Sequence, residues 1–240
     1  MLYIVGFGSG ARECITAAAE QAMLQSDLIV GYKTYTALMK PFFPEKECLE
    51  NGMRQETERV RLALEYAQTQ TVSLICSGDP ELYGMAALAY ELLAEYPGTE
   101  IAVVPGITAA FSGGAVLGAP LTHDTAIISL SDLLTPTEKI KRRLHCAAEG
   151  DFVIVFYNPS SRQRADYLQK ACDIILQYRA PETICGYVKN IGRDGEFSHI
   201  CTLSELRNKQ VDMFTTVFIG NSETRIIDGK MVTPRGYRHE

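Results

Sequence analysis

The chain has 240 residues, which is enough for one large domain or two smaller domains with separate hydrophobic cores. Its hydrophobic content of 46% and charged content of 22% are ordinary for a globular protein. The net charge of −6 is opposite to the basic bias of nucleic-acid-binding proteins, so we expect no nucleic-acid partner.

Predicted strands and helices alternate along the first half of the chain. The strands are expected at residues 2–5, 27–30, 71–76 and 101–104, and the helices at 12–25, 55–68 and 84–95. In the helical segments the apolar residues recur every three or four positions. This alternation predicts a parallel sheet with helices on both faces.

The pattern changes around residues 118–123. After a small-residue helix at 110–117, strands are expected at residues 126–130, 151–156, 183–188, 197–202, 214–220 and 225–227, with fewer helices between them. Clustered strands with short turns favour a mixed sheet. We therefore predict an α/β fold of two α/β domains, residues 1–117 with a mostly parallel sheet and 118–240 with a mixed sheet.

Cysteine and histidine spacing gives no metal signature. The seven cysteines form no CxxC pair, and the four histidines are scattered along the chain. We therefore expect reduced thiols and no protein-bound metal. No basic segment precedes the first apolar residues, and no apolar run reaches the ~20 residues of a membrane span. We expect a cytoplasmic protein with no membrane association.

Two predicted strands end in turns that expose backbone. Residues 77–84 read SGDPELYG, and residues 105–110 read PGITAA. Ligands of parallel sheets bind outside the carboxyl ends of the strands, so the two turns predict one pocket for a small polar molecule. The phosphate pattern GxxxxGK[ST] is missing from them, which disfavours nucleoside triphosphates. The alternative is that Asp79 and Thr108 only cap the helices that follow.

A third glycine turn, GFGSGA at residues 6–11, follows the first strand and invites a dinucleotide reading. That reading needs an acid at the end of the second strand, where this chain has Tyr32 and Lys33, and Asp27 lies at the wrong end. A nicotinamide-dependent oxidoreductase is therefore disfavoured. A close approach of backbone to a ligand is still expected at this turn.

A dense polar set flanks the predicted strand at 126–130. It consists of His123, Asp124, Ser129, Ser131 and Asp132. Histidine titrates near neutral pH, so His123 with Asp124 is a candidate proton shuttle. The alternatives are a loop histidine bonded to its neighbouring acid, and an Asp132 that caps the next helix.

Several segments together resemble a known family, the tetrapyrrole methylases. The segments that carry the resemblance are VGFGSG at 5–10, SGDP at 77–80, YG at 83–84, VPGITA at 104–109 and FYN at 156–158. Further segments resemble the branch that methylates C-17 of precorrin-3B or cobalt-precorrin-3, with ring contraction, in cobalamin biosynthesis. They are GYKTY at 31–35, GMR at 52–54, SLSDLLTP at 129–136, YNP at 157–159, VDM at 211–213 and TPRGY at 233–237.

The resemblance implies a methyltransferase that holds S-adenosylmethionine in a cleft between two α/β domains and releases S-adenosylhomocysteine. The cofactor contacts it implies are Ser9, Ser77, Gly78, Asp79, Leu82, Thr108, Ala109, Asn158 and Ile191. It also implies a homodimer. Tyr32 stands where relatives that make sirohydrochlorin precursors carry an acid.

The expected acceptor is a tetrapyrrole with many carboxylates, with or without cobalt. Tyr32, Lys33, Arg54 and Arg235 are its candidate contacts, three of them cationic. Ring contraction adds proton transfers, for which we favour His123 and Asp124, supported by Ser129, Ser131 and Asp132. Alternatives are a methyltransferase of the same fold with another tetrapyrrole position, an RNA or a protein as acceptor, and a cofactor-sensing module.

Overall fold

The computed structural model describes residues 1–161 and 165–238. The chain folds as two compact units, Met1–Ala109 and Ala110–Glu240. The division between residues 117 and 118 expected from the sequence stays a prediction.

The N-terminal unit contains five strands, and helices connect them. Its strands are β1 (Leu2–Gly6), β2 (Leu28–Tyr32), β3 (Glu47–Asn51), β4 (Val72–Cys76) and β5 (Ile101–Val104). Its helices are α1 (Ala17–Gln25), α2 (Lys33–Met39), α3 (Glu56–Ala67) and α4 (Ala86–Leu92). Short 3₁₀ turns at Arg12–Cys14 and Leu93–Glu95 replace the ends of two predicted helices. Helix α1 begins after Thr16, whose hydroxyl accepts the N–H of Ala19.

The five strands form one sheet, the N-terminal sheet, in the order β3-β2-β4-β1-β5. Every pairing in it is parallel, as the alternation of elements predicted. Side chains along β1 alternate between two cores: Leu2 and Ile4 pack with α3, while Val5 packs with α1. Because both faces are covered, β4 is buried throughout and its neighbours β1 and β2 nearly so. All carboxyl ends lie on one edge.

The C-terminal unit begins with α5 (Ala109–Leu117), which starts on the last residue of the first unit. Its strands are β6 (Gly118–Ala119), β7 (Thr125–Ser129), β8 (Val153–Tyr157), β9 (Ile184–Lys189), β10 (Phe197–Thr202), β11 (Thr215–Ile219), β12 (Arg225–Ile227) and β13 (Lys230–Val232). Its other helices are α6 (Thr137–Glu149), α7 (Tyr167–Ile175) and α8 (Leu203–Leu206).

Five of these strands form the C-terminal sheet, in the order β10-β9-β11-β8-β7. The β7–β8 pairing is parallel and the other three are antiparallel, so this sheet is mixed as predicted. Because β11 runs against both β8 and β9, the carboxyl ends of β7, β8 and β9 lie on the same edge. A second small sheet joins β12, β13 and β6.

Among the described residues, helices are fewer between the strands of the second half, as expected, but helix α7 was absent from the predicted elements. Helix α7 buries Leu168, Ala171, Cys172 and Ile175, an i, i+3, i+4, i+7 stripe that packs on the C-terminal sheet. Strand β3 and helix α2 were also absent from the predicted elements. Both are short and only partly buried, so their hydrophobic pattern is weak.

Candidate active site

Three loops of the N-terminal unit meet at the carboxyl edge of its sheet. They follow β1, β4 and β5, three adjacent strands. Gly8 and Gly78 are bonded to each other in both directions: the N–H of Gly8 donates to the carbonyl of Gly78 at 3.2 Å, and the N–H of Gly78 donates back at 2.7 Å. Both have positive φ, 73° and 71°, a conformation that glycine adopts without strain.

Gly6 and Gly106 have no room for a side chain. A Cβ on Gly6 would lie 2.6 Å from the carbonyl oxygen of Gly78 and 2.7 Å from the nitrogen of Gly106. A Cβ on Gly106 would overlap the same carbonyl oxygen. The three loops therefore touch backbone to backbone, and we call residues 6–10, 77–84 and 105–109 the glycine cradle.

The carboxylate of Asp79 links two of these loops. One oxygen accepts the N–H groups of Glu81, at 2.8 Å, and Leu82, at 3.3 Å. The other accepts the N–H of Gly106 at 3.1 Å. Helix α4 begins only at Ala86, so Asp79 does not cap it. The carboxylate instead fixes the shape of its own loop and its contact with the next.

The structure brings together the cofactor contacts expected in the first unit. Ser9, Ser77, Gly78, Asp79, Leu82, Thr108 and Ala109 all lie on the glycine cradle. Ser9 and Thr108 are buried, with exposed fractions of 5% and 7%. Gly106 belongs with them, although sequence reasoning did not single it out; its place in the PGIT turn was the available signal.

Three expected acceptor contacts lie farther along the same edge. Tyr32 ends β2, Lys33 begins α2, and Arg54 follows β3 in the left-handed region with φ 65°. In the strand order β3-β2-β4-β1-β5, these residues occupy the β3–β2 side and the glycine cradle occupies the other.

In the C-terminal unit, a hydrogen-bonded set lies where β7 and β8 end. The amide of Asn158 donates to the hydroxyl of Ser129 at 3.0 Å, and the N–H of Ser131 donates to the same oxygen at 3.2 Å. Asn158 has a positive φ of 51°. The hydroxyl of Tyr167, on α7, donates to the carboxylate of Asp132 at 2.5 Å. No sequence signal pointed to Tyr167, because it approaches Asp132 only through folding.

Ile191 follows β9 on this same edge and is 8% exposed. A Cβ on Gly113 of α5 would lie 2.8 Å from its Cδ1, so the small-residue helix leaves room for this side chain. The aliphatic side chain therefore packs on the surface of α5.

His123 and Asp124 lie at the opposite end of β7 from Ser129. The strand is five residues long, which separates its two ends by about 13 Å. The imidazole Nδ1 accepts the N–H of Asp124 at 3.0 Å and lies 3.8 Å from the Asp124 carboxylate. The structure therefore divides the five expected catalytic residues into two groups, Ser129, Ser131 and Asp132 in one and His123 and Asp124 in the other.

Arg235 follows β13 of the small sheet and is exposed. Within residues 1–161 and 165–238, no hydrogen bond or ion pair joins it to Ser129 or Asn158. In the same ranges, three or more His, Cys, Asp or Glu side chains nowhere converge as metal ligands would. None of the helices described has both the length and the apolar character needed to cross a bilayer.

Comparison with known proteins identifies the class to which this architecture belongs. Residues 1–207 match the Tetrapyrrole (Corrin/Porphyrin) Methylases, and the chain belongs to this family. The resemblance noted in the sequence is therefore confirmed.

Several individual relatives are similar to the chain over nearly its full length. A probable cobalt-factor III C(17)-methyltransferase of Salmonella typhimurium is 44% identical over 99% of both chains. A precorrin-3B C(17)-methyltransferase of Sinorhizobium is 35% identical over 98% of this chain and 96% of its own length. The crystal structure of the methyltransferase CobJ superposes with a TM-score of 0.90, at 33% identity over 97% of this chain and 99% of that one. Some relatives are longer, and the chain spans 45% of one of them.

Proposed function

We propose that the protein transfers a methyl group from S-adenosylmethionine to C-17 of a cobalamin precursor, with contraction of the ring. The observation that carries this proposal is the 44% identity to a cobalt-factor III C(17)-methyltransferase over nearly the full length of both chains. Identity to the precorrin-3B enzyme is lower, 35%, which favours the cobalt-containing acceptor.

The glycine cradle suits the methyl donor. S-adenosylmethionine carries a sulfonium cation that delivers its methyl to a nucleophilic carbon. Because Gly6, Gly8 and Gly106 carry no side chain, the loops pack closely and hold the proposed donor contacts at the carboxyl edge of the sheet. We propose that Ser9, Ser77, Leu82, Thr108 and Ala109 contact the donor from this side, and that Asp79 acts by holding the cradle together.

Asn158 and Ile191 are the proposed donor contacts in the C-terminal unit. Asn158 is held by its bond to Ser129, so one end of its amide is oriented before any ligand binds. Ile191 follows β9 on the same sheet edge and is the proposed aliphatic contact. Positioned contacts of this kind favour near-attack geometry, which supplies up to about 7–11 kcal/mol in ideal cases.

We propose that the proton transfers of ring contraction occur at the edge of the C-terminal sheet that carries Asn158. We propose Asp132 as the acid or base, because Tyr167 holds its carboxylate and Ser131, which bonds to Ser129 at the end of β7, precedes it in the same loop. His123 and Asp124 remain the alternative, and they lie at the other end of β7. Variants at the two positions separate these assignments.

Acceptor carboxylates need cationic partners, and we propose Lys33, Arg54 and Arg235, together with Tyr32 as a further acceptor contact. All three cations are exposed and therefore available for binding. The homodimer and the cytoplasmic location expected from the sequence are proposals too, tested by light scattering after gel filtration and by cell fractionation.

The deciding experiment is incubation of the chain with methyl-labelled S-adenosylmethionine and either cobalt-factor III or precorrin-3B. We expect one labelled methyl group per tetrapyrrole, detected by mass spectrometry, with faster transfer to cobalt-factor III. Binding of S-adenosylhomocysteine with no transfer to either acceptor would instead favour a different acceptor or a sensing module.

A further inference from the structure

Helix α3 carries a buried cation, Arg59, with an exposed fraction of 3%. Two residues later, Arg61 is exposed and paired with the carboxylate of Glu95. Arg59 has no such partner: among the residues the structure describes, no carboxylate lies within 4 Å of its guanidinium. Desolvation lowers the pKa of Arg59. A hydrophobic residue at a buried position often gives equal or greater stability than a buried charge, so the guanidinium calls for an explanation other than packing.

The guanidinium binds the ends of two strands. Its Nε donates to the side-chain oxygen of Asn51 at 2.7 Å, and its Nη2 donates to the carbonyl of Gly52 at 2.8 Å. Its central carbon lies 5.8 Å from the centre of the Tyr32 ring, within cation–π range. Tyr32 and Asn51 are paired across β2 and β3, at the carboxyl end of that ladder. One buried side chain therefore contacts both strands where they open onto the edge.

These contacts also determine the backbone that presents Arg54. The segment 51–55 is closed by two further bonds, from the N–H of Gly52 to the side-chain oxygen of Gln55 at 2.6 Å and from the Asn51 amide to the Gln55 carbonyl at 3.3 Å. Arg54 lies inside this turn with φ 65°. A left-handed conformation of a non-glycine residue persists only where its surroundings impose it, and Arg59 is part of those surroundings.

We propose that Arg59 is a positioning residue for the tetrapyrrole acceptor, which holds the Tyr32 ring and the Arg54 turn in the arrangement that receives the acceptor's carboxylates. This inference rests on the proposed function, in which Tyr32 and Arg54 contact the acceptor. Arg59 does not itself bind the acceptor, because its donors are directed to Asn51, Gly52 and the sulfur of Met85. Lysine cannot replace it, because an ammonium lacks the planar fork that reaches two acceptors and a ring together.

The test compares Arg59→Met and Arg59→Lys with Arg61→Met and Arg61→Lys on the same helix. Initial rates are measured against cobalt-factor III, and S-adenosylhomocysteine binding is measured by calorimetry. We expect both Arg59 variants to raise the KM for cobalt-factor III about tenfold or more, with donor affinity within about twofold of wild type. The Arg61 variants should leave both quantities unchanged. If Arg59→Met does not fold, Asn51→Ala tests the same contact, because it removes one acceptor of the guanidinium. We expect Asn51→Ala to raise the KM for cobalt-factor III.

A double variant distinguishes positioning from general support of the fold. If Arg59 acts through the Arg54 turn, Arg59→Met should raise KM far less in an Arg54→Met background than in the wild type. Full additivity, a wild-type KM in both Arg59 variants, or a parallel loss of donor binding and kcat would overturn the inference. A wild-type chain that neither binds nor methylates cobalt-factor III would overturn the proposed function itself, and this inference with it.

Discussion

The carboxylate of Asp79 accepts the backbone N–H of Gly106 at 3.1 Å, and so joins the loop after β4 to the loop after β5. Its other oxygen accepts two N–H groups of its own loop. A carboxylate that accepts three backbone donors is a stronger link than a neutral side chain, because hydrogen bonds to charged groups contribute about 1.5–3 kcal/mol each.

Asp79→Asn should therefore weaken binding of the methyl donor. An amide keeps the shape of the side chain, but its nitrogen cannot accept the N–H of Gly106. We expect the Kd for S-adenosylhomocysteine to rise at least about tenfold, measured by calorimetry. Glu81→Gln, a neighbouring exposed carboxylate, is the control and should bind as wild type does. Unchanged binding by Asp79→Asn would show that the link between the loops is dispensable.

Gly106→Ala should disrupt the glycine cradle, because its Cβ would overlap the carbonyl oxygen of Gly78. We expect a lower melting temperature and loss of donor binding, measured by thermal shift with and without S-adenosylhomocysteine. The matched control is Gly98→Ala, which has no atom within 4 Å of its new Cβ but has φ 86°. Its backbone strain should cost about 1–2 kcal/mol of stability and leave the ligand-induced shift intact.

Asn158 can be tested for backbone and side chain separately, because its φ is 51°. Asn158→Gly keeps that conformation and removes the amide, so we expect normal stability with a large loss of methyl transfer. Asn158→Ala should lose the same activity and a further ~1 kcal/mol of stability. Urea titration and the transfer assay measure the two effects. Full activity in Asn158→Gly would remove the amide from the proposed donor contacts.

The two ends of β7 offer competing sites for proton transfer. Asp132→Asn should lower kcat by about 10²–10⁴-fold and abolish the pH dependence of kcat, with donor affinity retained. His123→Ala should change neither. Tyr167→Phe should have an intermediate effect, because it leaves the carboxylate in place without its hydrogen bond. The opposite result, with His123→Ala inactive and Asp132→Asn active, would assign proton transfer to the other end of the strand.

Buried thiols should make stability fall at high pH. Burial raises the pKa of Cys76 from 9.0 to about 11, and that of Cys172 to about 12. Below pH 9 these thiols are protonated in both the folded and the unfolded chain, so they do not make the free energy of unfolding depend on pH. Between pH 9 and about 11 only the unfolded chain releases the protons, and the free energy of unfolding should decrease. Urea titrations across this range measure the effect. In the folded protein, iodoacetamide at pH 8 should modify exposed Cys146 well before Cys76.

Much of the glycine cradle could be predicted from the sequence. Glycine turns directly after apolar strands, such as 77–84 and 105–110, must lie on one edge of a parallel sheet, whatever the details of packing. The sequence did not reveal that Asp79 binds Gly106, because a carboxylate after a strand is equally suited to capping a helix. That choice depends on where the next helix begins, and Ala86 begins it too late for Asp79.

The surroundings of the proposed catalytic residues were harder to predict, because residues close in the sequence can be far apart in space along a strand. His123 and Asp132 are close in the sequence, yet β7 places them at opposite ends. Conversely, Tyr167 and Asp132 are 35 residues apart and share a hydrogen bond. Helix α7 brings them together. The sequence analysis did not predict this helix, although its apolar stripe of Leu168, Ala171, Cys172 and Ile175 has helical spacing.

The close backbone contacts of Gly6, Gly78 and Gly106 limit the substitutions that the three loops accept. A Cβ on Gly6 or Gly106 would overlap the backbone of a neighbouring loop, so neither residue can change unless the loops move together. Gly78 has space for a Cβ, but its φ of 71° strains any other residue. Tyr32, Lys33 and Arg54 lie at the ends of β2 and β3 on the same sheet edge, outside these backbone contacts. Mutant libraries that seek new acceptors should therefore vary the β2–β3 ends and leave the glycines untouched.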